Sequence, residues 1–382
     1  MSEYQYYEFQ AVDRSLDDKQ LRMLRNLSTR ARITATSFVN HYDWGGFKGD
    51  PAALMEQCFD LHLYLASWGT RRLMLRLPRR LLDLRLARRY CAGEAASVRA
   101  TAEHIILDFE SRDEEGGDWD IDDDGSGRLS ALAALRGELM QGDLRCLYLG
   151  WLLCARDGWV KGDAREPAVP PGLAQLSGPL AAFADFMRLD GDLLDVAAEA
   201  SAPERTSGLS RGEIEACVQA LPEAEKTALL LRFIDGSDPH LVVELRRRFA
   251  DAEADGAVPG RRTAAELMAA ADARAEERRQ RAARREAKEQ ARREREQAAA
   301  RAKFLDDLAK REDIAWRQTE ALINERKPQS YGRALELLRD LRDLGARRDK
   351  ADAFAAALRS LRSRHAKKPA FLARLDKEGL AA

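Results

Sequence analysis

The sequence predicts a mainly α-helical protein with an N-terminal α+β domain, a long charged helix and a small C-terminal helical bundle. Three observations lead to this fold class. Runs in which apolar and polar residues alternate, the pattern of half-buried strands, occur only before residue 110. Apolar residues at helical spacing follow them. Between Arg274 and Lys303, Ala is the only apolar residue type, which indicates a solvated helix rather than a core element.

The length of 382 residues predicts two or three domains, at about 100–200 residues each. Apolar residues make up 45% of the chain, enough for a buried core, and the 33% of charged residues leave a net charge of −1. The predicted organisation is an α+β head with an antiparallel sheet (1–125), a helical domain (126–253), a charged Ala/Arg/Glu-rich helix (263–303) and a C-terminal helical module (304–382).

Strands and helices alternate in the predicted head. Ser15 is a candidate N-cap, and Asp50-Pro51 gives the start of a second helix. The predicted elements are a strand at 4–12, a helix at 16–27, a strand at 34–44, a helix at 51–59, a hairpin of strands 61–66 and 71–77, a basic helix ending near 90 and a last strand at 97–109.

Only helices are predicted beyond the head. Two of them, 128–141 and 143–156, are expected to form an antiparallel pair, and short helices come next, from about 179 to 250. A capping box at Thr263–Glu266 opens a helical pattern that continues unbroken to about 325. Its window 274–303 has twelve basic and six acidic residues. Without Leu or Ile at alternating positions, either a single helix or a loose Ala-seamed coiled coil fits this segment.

The C-terminal module carries its own apolar faces. Lys327-Pro328 is expected to break the helix that precedes it, two amphipathic helices are expected around Gly345, and Lys368-Pro369 begins a final short helix. Trp316 is predicted to be largely buried against Leu338 or its neighbours.

The cysteines and the apolar runs indicate the cellular location. Five scattered cysteines without a C-x-x-C spacing indicate a reducing compartment rather than a disulfide framework. The first ten residues lack a signal-peptide pattern, and the longest apolar run, 146–155, is about half of a membrane span. The prediction is a cytoplasmic protein with no cofactor and no membrane association.

A cluster of arginines is the strongest candidate for an anion-binding or nucleic-acid-binding patch. Its members are Arg71, Arg72, Arg76, Arg79, Arg80, Arg85, Arg88 and Arg89, and between positions 71 and 89 only Asp83 opposes them. Guanidinium groups form charge-assisted hydrogen bonds with phosphate, so this patch could bind a phosphate backbone. The alternative is that these arginines pair with the acidic residues between 108 and 124.

A weaker candidate is a metal site in the acidic loop. Asp120, Asp122 and Asp124, followed by Gly125, match the opening of a calcium-binding EF-hand loop. The twelfth position, where an EF-hand has a bidentate Glu, is Ala131. The alternative interpretation is therefore an acidic surface loop.

Several segments resemble known bacterial sequences. YYEFQAVDRSL, STRARITATSFVNHYDWGGFKGDP, LYLASWGTRRLMLRLPRRL and GDLRCLYLGWLLCAR resemble segments of a family of uncharacterised bacterial proteins. The tail at about 316–380, which includes RQTEALINERKPQSYGRALELLRDL, resembles a C-terminal helical segment of large bacterial proteins, some of which have a SWIM-type zinc finger, and loosely a tetratricopeptide helix pair. The chain has no C-x-C and hence no such finger. These resemblances imply a helical tail and supply no catalytic residue.

The function predicted from the sequence is that of a non-catalytic intracellular interaction or scaffold protein, with a helical spacer and a C-terminal docking module for an unidentified protein partner. A nucleic-acid-binding protein that uses the arginine patch and the basic helix is the alternative. An enzyme of unrecognised type is the third hypothesis, because the absence of a known motif does not exclude catalysis.

Overall fold

The computed structural model describes residues 4–112, 124–203, 210–236, 238–250 and 260–380. The chain divides into two compact units, Met1–Glu277 and Arg278–Ala382. Within the described residues, no helix is both long enough and apolar enough to cross a membrane. The predicted fold class, mainly α-helical with an N-terminal α+β domain, is confirmed.

The N-terminal unit is built on a seven-stranded sheet in which every pairing is antiparallel. Its strands are β1 (Gln5–Gln10), β2 (Arg32–Ile33), β3 (Ser37–Tyr42), β4 (Leu61–Ala66), β5 (Arg71–Pro78), β6 (Ala96–Ala100) and β7 (His104–Ser111). The spatial order is β2-β3-β1-β4-β5-β7-β6. The head therefore has the antiparallel sheet that the alternating apolar pattern predicts.

Helices cover both faces of this sheet. The helices of the unit are α1 (Asp18–Leu27), α2 (Pro51–Gln57), α3 (Leu84–Tyr90), α4 (Arg128–Leu132), α5 (Ala134–Met140), α6 (Arg145–Arg156), α7 (Gly178–Phe186), α8 (Gly191–Ala198), α9 (Arg211–Ala220), α10 (Glu223–Ile234) and α11 (Leu241–Ala250), followed by the first turns of α12 (Ala264–Ala309). Leu24 of α1 and Met55 of α2 pack on one face with Phe9 and Phe38 of the sheet. The other face belongs to a larger core that continues into α3 to α8.

The sheet and the later helices of the unit share this larger core. It contains Leu75 and Phe109 of the sheet, Leu152 of α6, Phe183 of α7 and Leu267 of α12. Gly150 lets α6 approach the sheet closely, because a Cβ atom there would lie 2.5 Å from Phe109 Cε1. The predicted boundary between 125 and 126 falls inside this one unit.

Three local predictions for this unit differ from the structure. The N-cap of α1 is Asp17 rather than Ser15, because the Asp17 carboxylate accepts the Gln20 N–H and the Gln20 side chain reciprocates in a capping box. The strand predicted at 97–109 is a hairpin of β6 and β7, since Thr101 N–H donates to His104 O at 2.8 Å and closes a turn. The helix predicted at 128–141 is two short helices, α4 and α5.

The C-terminal unit consists of helices around two small cores. Besides the end of α12, it contains α13 (Glu312–Asn324), α14 (Pro328–Arg347), α15 (Ala351–Arg364) and α16 (Pro369–Lys377). One core gathers side chains of α13 to α16, among them Leu338, Leu361 and Phe371. The other joins Leu305 and Leu308 of α12 to residues of α13 and α14. The helix break predicted at Lys327-Pro328 and the helix start predicted at Lys368-Pro369 are confirmed, because Pro328 and Pro369 each occupy a first helical turn.

Helix boundaries in this unit also correct the sequence prediction. The pattern expected to run unbroken to about 325 ends at Ala309 and resumes at Glu312, because Arg311 has a non-helical backbone (φ −131°). Gly345 lies inside α14, and the turn comes later, at Asp349 (φ 53°). Trp316 is partly buried rather than largely buried, and its ring lies 5.8 Å from that of Phe354 in a tilted contact.

Candidate functional site

The eight arginines of the predicted patch lie in four different environments. Arg71 and Arg72 begin β5, and both are engaged. Arg71 donates to Phe186 O at 3.1 Å, whereas Arg72 forms a bidentate pair with Asp108 across the sheet, at 2.8 and 2.6 Å, with Glu110 at 3.8 Å. The alternative interpretation, in which the arginines pair with nearby acidic residues, thus describes Arg72.

Arg76 lies in the second environment, a buried ion network. Its guanidinium donates to Asp60 Oδ1 at 3.1 and 2.8 Å and to Glu56 O at 3.1 Å. Only 3% of the Arg76 side chain and none of the Asp60 side chain is exposed. A guanidinium so enclosed cannot reach a macromolecular ligand, so Arg76 stabilises the head instead.

Arg136 extends this network from α5. It donates to Arg76 O at 2.6 Å and to Asp13 Oδ1 at 2.8 Å, and its Nη2 lies 3.7 Å from Asp60 Oδ1. The second carboxylate oxygen of Asp60 accepts the N–H groups of Val12 and Asp13, at 2.6 and 3.0 Å. The network therefore fixes the segment between β1 and α1 against the sheet.

A broad cavity of about 880 Å³, largely open to solvent, lies beside this network. Four connecting segments form its wall: the one after β1, the one after β5, the β6–β7 turn and the turn between α10 and α11. The charged or titratable side chains on the wall are Asp13, Arg14, Arg79, Arg80, Glu103, His104, Arg232, Asp238 and His240. Two arginines of the predicted patch, Arg79 and Arg80, therefore belong to a concave site, a third environment.

Asp13 and His240 contact each other on the wall of this cavity. His240 Nε2 lies 2.9 Å from Asp13 Oδ2, and the two side chains are 9% and 17% exposed. Burial raises the pKa of Asp13, but the contacts with His240 and Arg136 outweigh burial and lower it to about 2. Asp13 is therefore a carboxylate at neutral pH, poorly suited to accept a proton, and orients His240 and Arg136.

Arg80 is neutralised within the same wall. It donates to Asp238 at 2.6 Å and to Glu244 at 2.9 Å, and Arg232 contacts the same two carboxylates. These contacts lower the pKa of Asp238 and Glu244 in spite of the opposing effect of burial. Arg80 thus holds the α10–α11 turn against the sheet.

Arg85, Arg88 and Arg89 form the fourth environment, the exposed side of α3. Arg85 lies near Asp83, the N-cap of the helix, whose carboxylate accepts the N–H groups of Arg85 and Leu86. Arg88 and Arg89 have no ion-pair partner within the described part of the chain. Together with the exposed Arg79, these three are the members of the predicted patch that a large ligand could reach without breaking an ion pair.

Sequence reasoning missed Asp13, Asp60, Arg136 and His240. Asp13 and Arg136 are 123 positions apart, and Arg76 and Asp60 are 16 apart, so no local spacing points to either pair. One signal was available for Arg136 and Arg145: each stands within a run of apolar helical residues, where a charged side chain requires a buried partner.

The predicted metal ligands are only partly described. Asp120 and Asp122 lie outside the described residues. Asp124 precedes the turn that leads into α4, where it accepts the Ser126 N–H at 2.8 Å and its carbonyl accepts the Tyr4 hydroxyl at 2.8 Å. Among the residues that the structure describes, no group of three metal-ligating side chains is arranged to hold an ion. Calcium binding by this loop stays a prediction.

The C-terminal unit has a second, smaller hollow, of about 80 Å³, between α13, α14 and α15. Trp316, Leu341, Leu344 and Phe354 form its apolar floor, and Ala353 and Ala357 lie at its edge. Its charged rim consists of Glu312, Arg348 and Lys350. The hollow offers an apolar side chain a place beside two aromatic rings.

Comparison of this chain with protein-family models, with curated proteins and with solved structures found no match.

Proposed function

We propose that this chain is a non-catalytic interaction protein of the cytoplasm, in which the hollow of the C-terminal unit docks a protein partner. The carrying observation is that Trp316 and Phe354, two large aromatic residues, remain partly exposed at the hollow while Leu341 and Leu344 beneath them are buried. Aromatic residues in such pockets often supply much of the binding energy of protein interfaces.

The rim of the hollow indicates the chemistry of the partner. Arg348 and Lys350 have no ion-pair partner within the described residues, and the opposing carboxylate on the rim is Glu312. A partner segment that inserts one apolar side chain and places an acidic residue beside it complements both the floor and the rim. Its acidic group would contribute mainly to specificity and to the rate of association.

The exposed part of α12 supports a spacer role. Every residue from 276 to 300 is exposed, so this segment buries no apolar side chain. Pairs such as Glu289–Arg293, whose charged groups lie 2.6 Å apart one helical turn from each other, stabilise such a helix without a core. A helix of this kind adds length rather than packing, and that is the use we propose for it.

The cysteines support a cytoplasmic location. All five are thiols in the structure, and Cys58, Cys146 and Cys154 are buried. Burial raises the pKa of the Cys146 thiol well above its ordinary value and thus keeps it in its unreactive form.

Filling the hollow tests the docking proposal. Ala353→Leu in the full chain would add an apolar side chain at the exposed edge of the hollow. Ala356→Leu, on the exposed side of the same helix, is the matched control because it adds the same side chain without lining the hollow. Both variants would be photo-crosslinked to their partners in cells. Each captured partner would then be purified and titrated against the wild-type chain and against both variants.

The docking proposal expects a partner that binds the wild-type chain and Ala356→Leu equally, and Ala353→Leu at least about tenfold more weakly. Equal binding by all three proteins would show that the partner uses another surface. Circular dichroism of both variants checks that α15 remains folded.

A nucleic-acid-binding role is a second candidate, favoured by one observation. Arg85, Arg88 and Arg89 project from the exposed side of one short helix, α3. Replacing all three by Glu should weaken binding to duplex DNA or RNA and reduce its salt dependence, whereas Arg22→Glu on the exposed side of α1 should not. Absence of binding by the wild-type chain at low salt would rule this role out.

A further inference from the structure

The charges on the wall of the large cavity do not balance. The ion network contains two carboxylates, Asp13 and Asp60, and two guanidinium groups, Arg76 and Arg136, of which only Asp13 lines the cavity. Beside this network, two carboxylates, that of Asp238 on the wall and that of Glu244 outside the cavity lining, are both matched by the guanidinium groups of Arg80 and Arg232. Each of these two groups of residues therefore has no net charge. The wall then retains two guanidinium groups, those of Arg14 and Arg79, opposed by the carboxylate of Glu103.

Arg14 and Arg79 keep most of their hydrogen-bonding capacity. Arg14 donates to Gln57 O, and Arg79 donates to Thr101 O, each at 3.4 Å, which is the long limit of such a bond. A guanidinium has five N–H donors, so four remain on each residue. Both side chains are exposed. Neither forms an ion pair within the part of the chain that the structure describes.

The backbone beside each arginine is held firmly. Asp60 accepts the Asp13 N–H at 3.0 Å, immediately before Arg14, and Arg79 N–H donates to Glu103 O at 2.8 Å. The two arginines therefore enter the cavity from fixed positions on different segments. A fixed backbone reduces part of the ordering cost of binding an anion, and the exposed side chains contribute the rest of that cost.

We propose that this cavity binds a small phosphate-bearing molecule, with Arg14 and Arg79 as its phosphate ligands. The planar guanidinium fork matches the oxygens of a phosphate group and can bind it through two parallel hydrogen bonds. The cavity volume of about 880 Å³ lies within the range of small-molecule sites, so there is space for the organic part of the ligand as well. Glu103 and His104 also line the cavity.

This site is independent of the docking role proposed for the C-terminal unit. It uses residues of the N-terminal unit alone. It also differs from the surface of α3, since Arg85, Arg88 and Arg89 do not line the cavity. The three hypotheses can therefore fail separately.

Calorimetric titration of the full chain with inorganic phosphate tests the proposal, at constant ionic strength set by chloride. We expect saturable binding with one site, weakened at least tenfold in Arg14→Ala and in Arg79→Ala. Arg88→Ala, which removes an exposed arginine from α3 outside the cavity, should bind as the wild type does. Arg14→Lys keeps the charge but not the fork, and should bind more weakly than the wild type.

Two additional probes identify the kind of anion. Glycerol phosphate should bind at least as tightly as inorganic phosphate if the natural ligand is a phosphate ester, and more weakly if it is free phosphate; both results require Arg14 and Arg79. Citrate is the carboxylate probe, and preference for citrate over both phosphates would overturn the proposal. Absence of phosphate binding up to 10 mM would also overturn it, as would equal losses in Arg88→Ala and Arg14→Ala.

Discussion

The carboxylate of Asp60 lies 2.8 Å from Nη2 of Arg76, in an ion pair that is almost completely removed from solvent. Asp60 immediately precedes β4 and Arg76 lies near the end of β5, so the pair joins the beginning of one strand to its neighbour. Both carboxylate oxygens are used, Oδ1 by Arg76 and Oδ2 by the N–H groups of Val12 and Asp13. The pair thus couples the centre of the sheet to the wall of the cavity.

Asp60→Asn should destabilise the N-terminal unit strongly. The amide would leave the Arg76 guanidinium buried without a compensating charge, and breaking a buried pair in this way costs about 3–5 kcal/mol. The measurement is the free energy of unfolding of the full chain in urea, followed by circular dichroism. Glu103→Gln, an exposed neighbour of the same cavity, should change it by less than about 0.5 kcal/mol. A loss below about 1 kcal/mol for Asp60→Asn would contradict this role.

The sheet was more predictable than the site. The alternation of Leu73, Leu75 and Leu77 in β5 is a local signal, and the structure buries all three against the helices. The same alternation places Arg76 on the other face, where solvent exposure was expected. In the structure α2 and α5 supply Glu56 O and Arg136 around it, and these contacts between distant segments have no local signature. The ion network and the cavity could not be derived for the same reason.

The buried His62 should make the stability of the chain depend on pH between about 3 and 6.5. Its ring is stacked on Phe9 with centroids 3.9 Å apart, and burial lowers its pKa from 6.5 to about 3. Below pH 6.5 the unfolded chain binds a proton at this position and the folded chain does not. Stability should therefore fall as the pH decreases through this range, by about 1.4 kcal/mol per pH unit for one proton.

Comparison of variants isolates this histidine. His62→Phe should show a smaller slope of unfolding free energy against pH than the wild type, although losing the contact between Nδ1 and Glu8 O, 3.0 Å apart, lowers its stability at pH 7. His41→Gln, on an exposed site of β3, should keep the wild-type slope. Equal slopes in all three proteins would show that His62 is protonated in the folded chain.

Asp13 affects the stability of the chain at a lower pH than His62 does. Because its pKa is lowered from 3.8 to about 2, its contribution to stability is complete above about pH 4 and is lost as the pH falls towards 2. Solvent screening at a partly exposed group reduces this contribution to about 1–2 kcal/mol. Asp13→Asn should remove that part of the acid dependence, whereas exposed Asp43→Asn should not. Identical acid profiles for the wild type and Asp13→Asn would contradict the pairing with Arg136 and His240.

The exposed segment of α12 should be helical and monomeric when isolated. A peptide covering 264–309 lacks an apolar face between 276 and 300, so charge pairs and the intrinsic preference of Ala stabilise it. Added salt should reduce its helicity in circular dichroism. Sedimentation equilibrium should give the mass of one chain at micromolar concentration, and a tight dimer would replace the spacer role by an oligomerisation role.

Trp316 should matter more to the C-terminal unit than its partial exposure suggests, because it packs against both small cores of that unit. It joins the core around Leu338 to the core around Leu341, and its ring also contacts Phe354. Trp316→Ala would remove these contacts and leave the hollow wider. Truncation of a fully buried aromatic residue costs about 3–5 kcal/mol, so a partly buried one should cost about 2–3.

The fragment 278–382 gives the direct measurement, since it corresponds to one compact unit with its own cores. It should unfold cooperatively on heating, and Trp316→Ala should lower its melting temperature by more than about 10 °C, because this unit is small and about 1 kcal/mol corresponds to 4–8 °C. In the full chain the same substitution should leave the transition of the N-terminal unit unchanged. Ile314→Ala, two positions away and half exposed, is the control and should have little effect. A fragment without a cooperative transition would show that these helices need the remaining chain or a partner to fold.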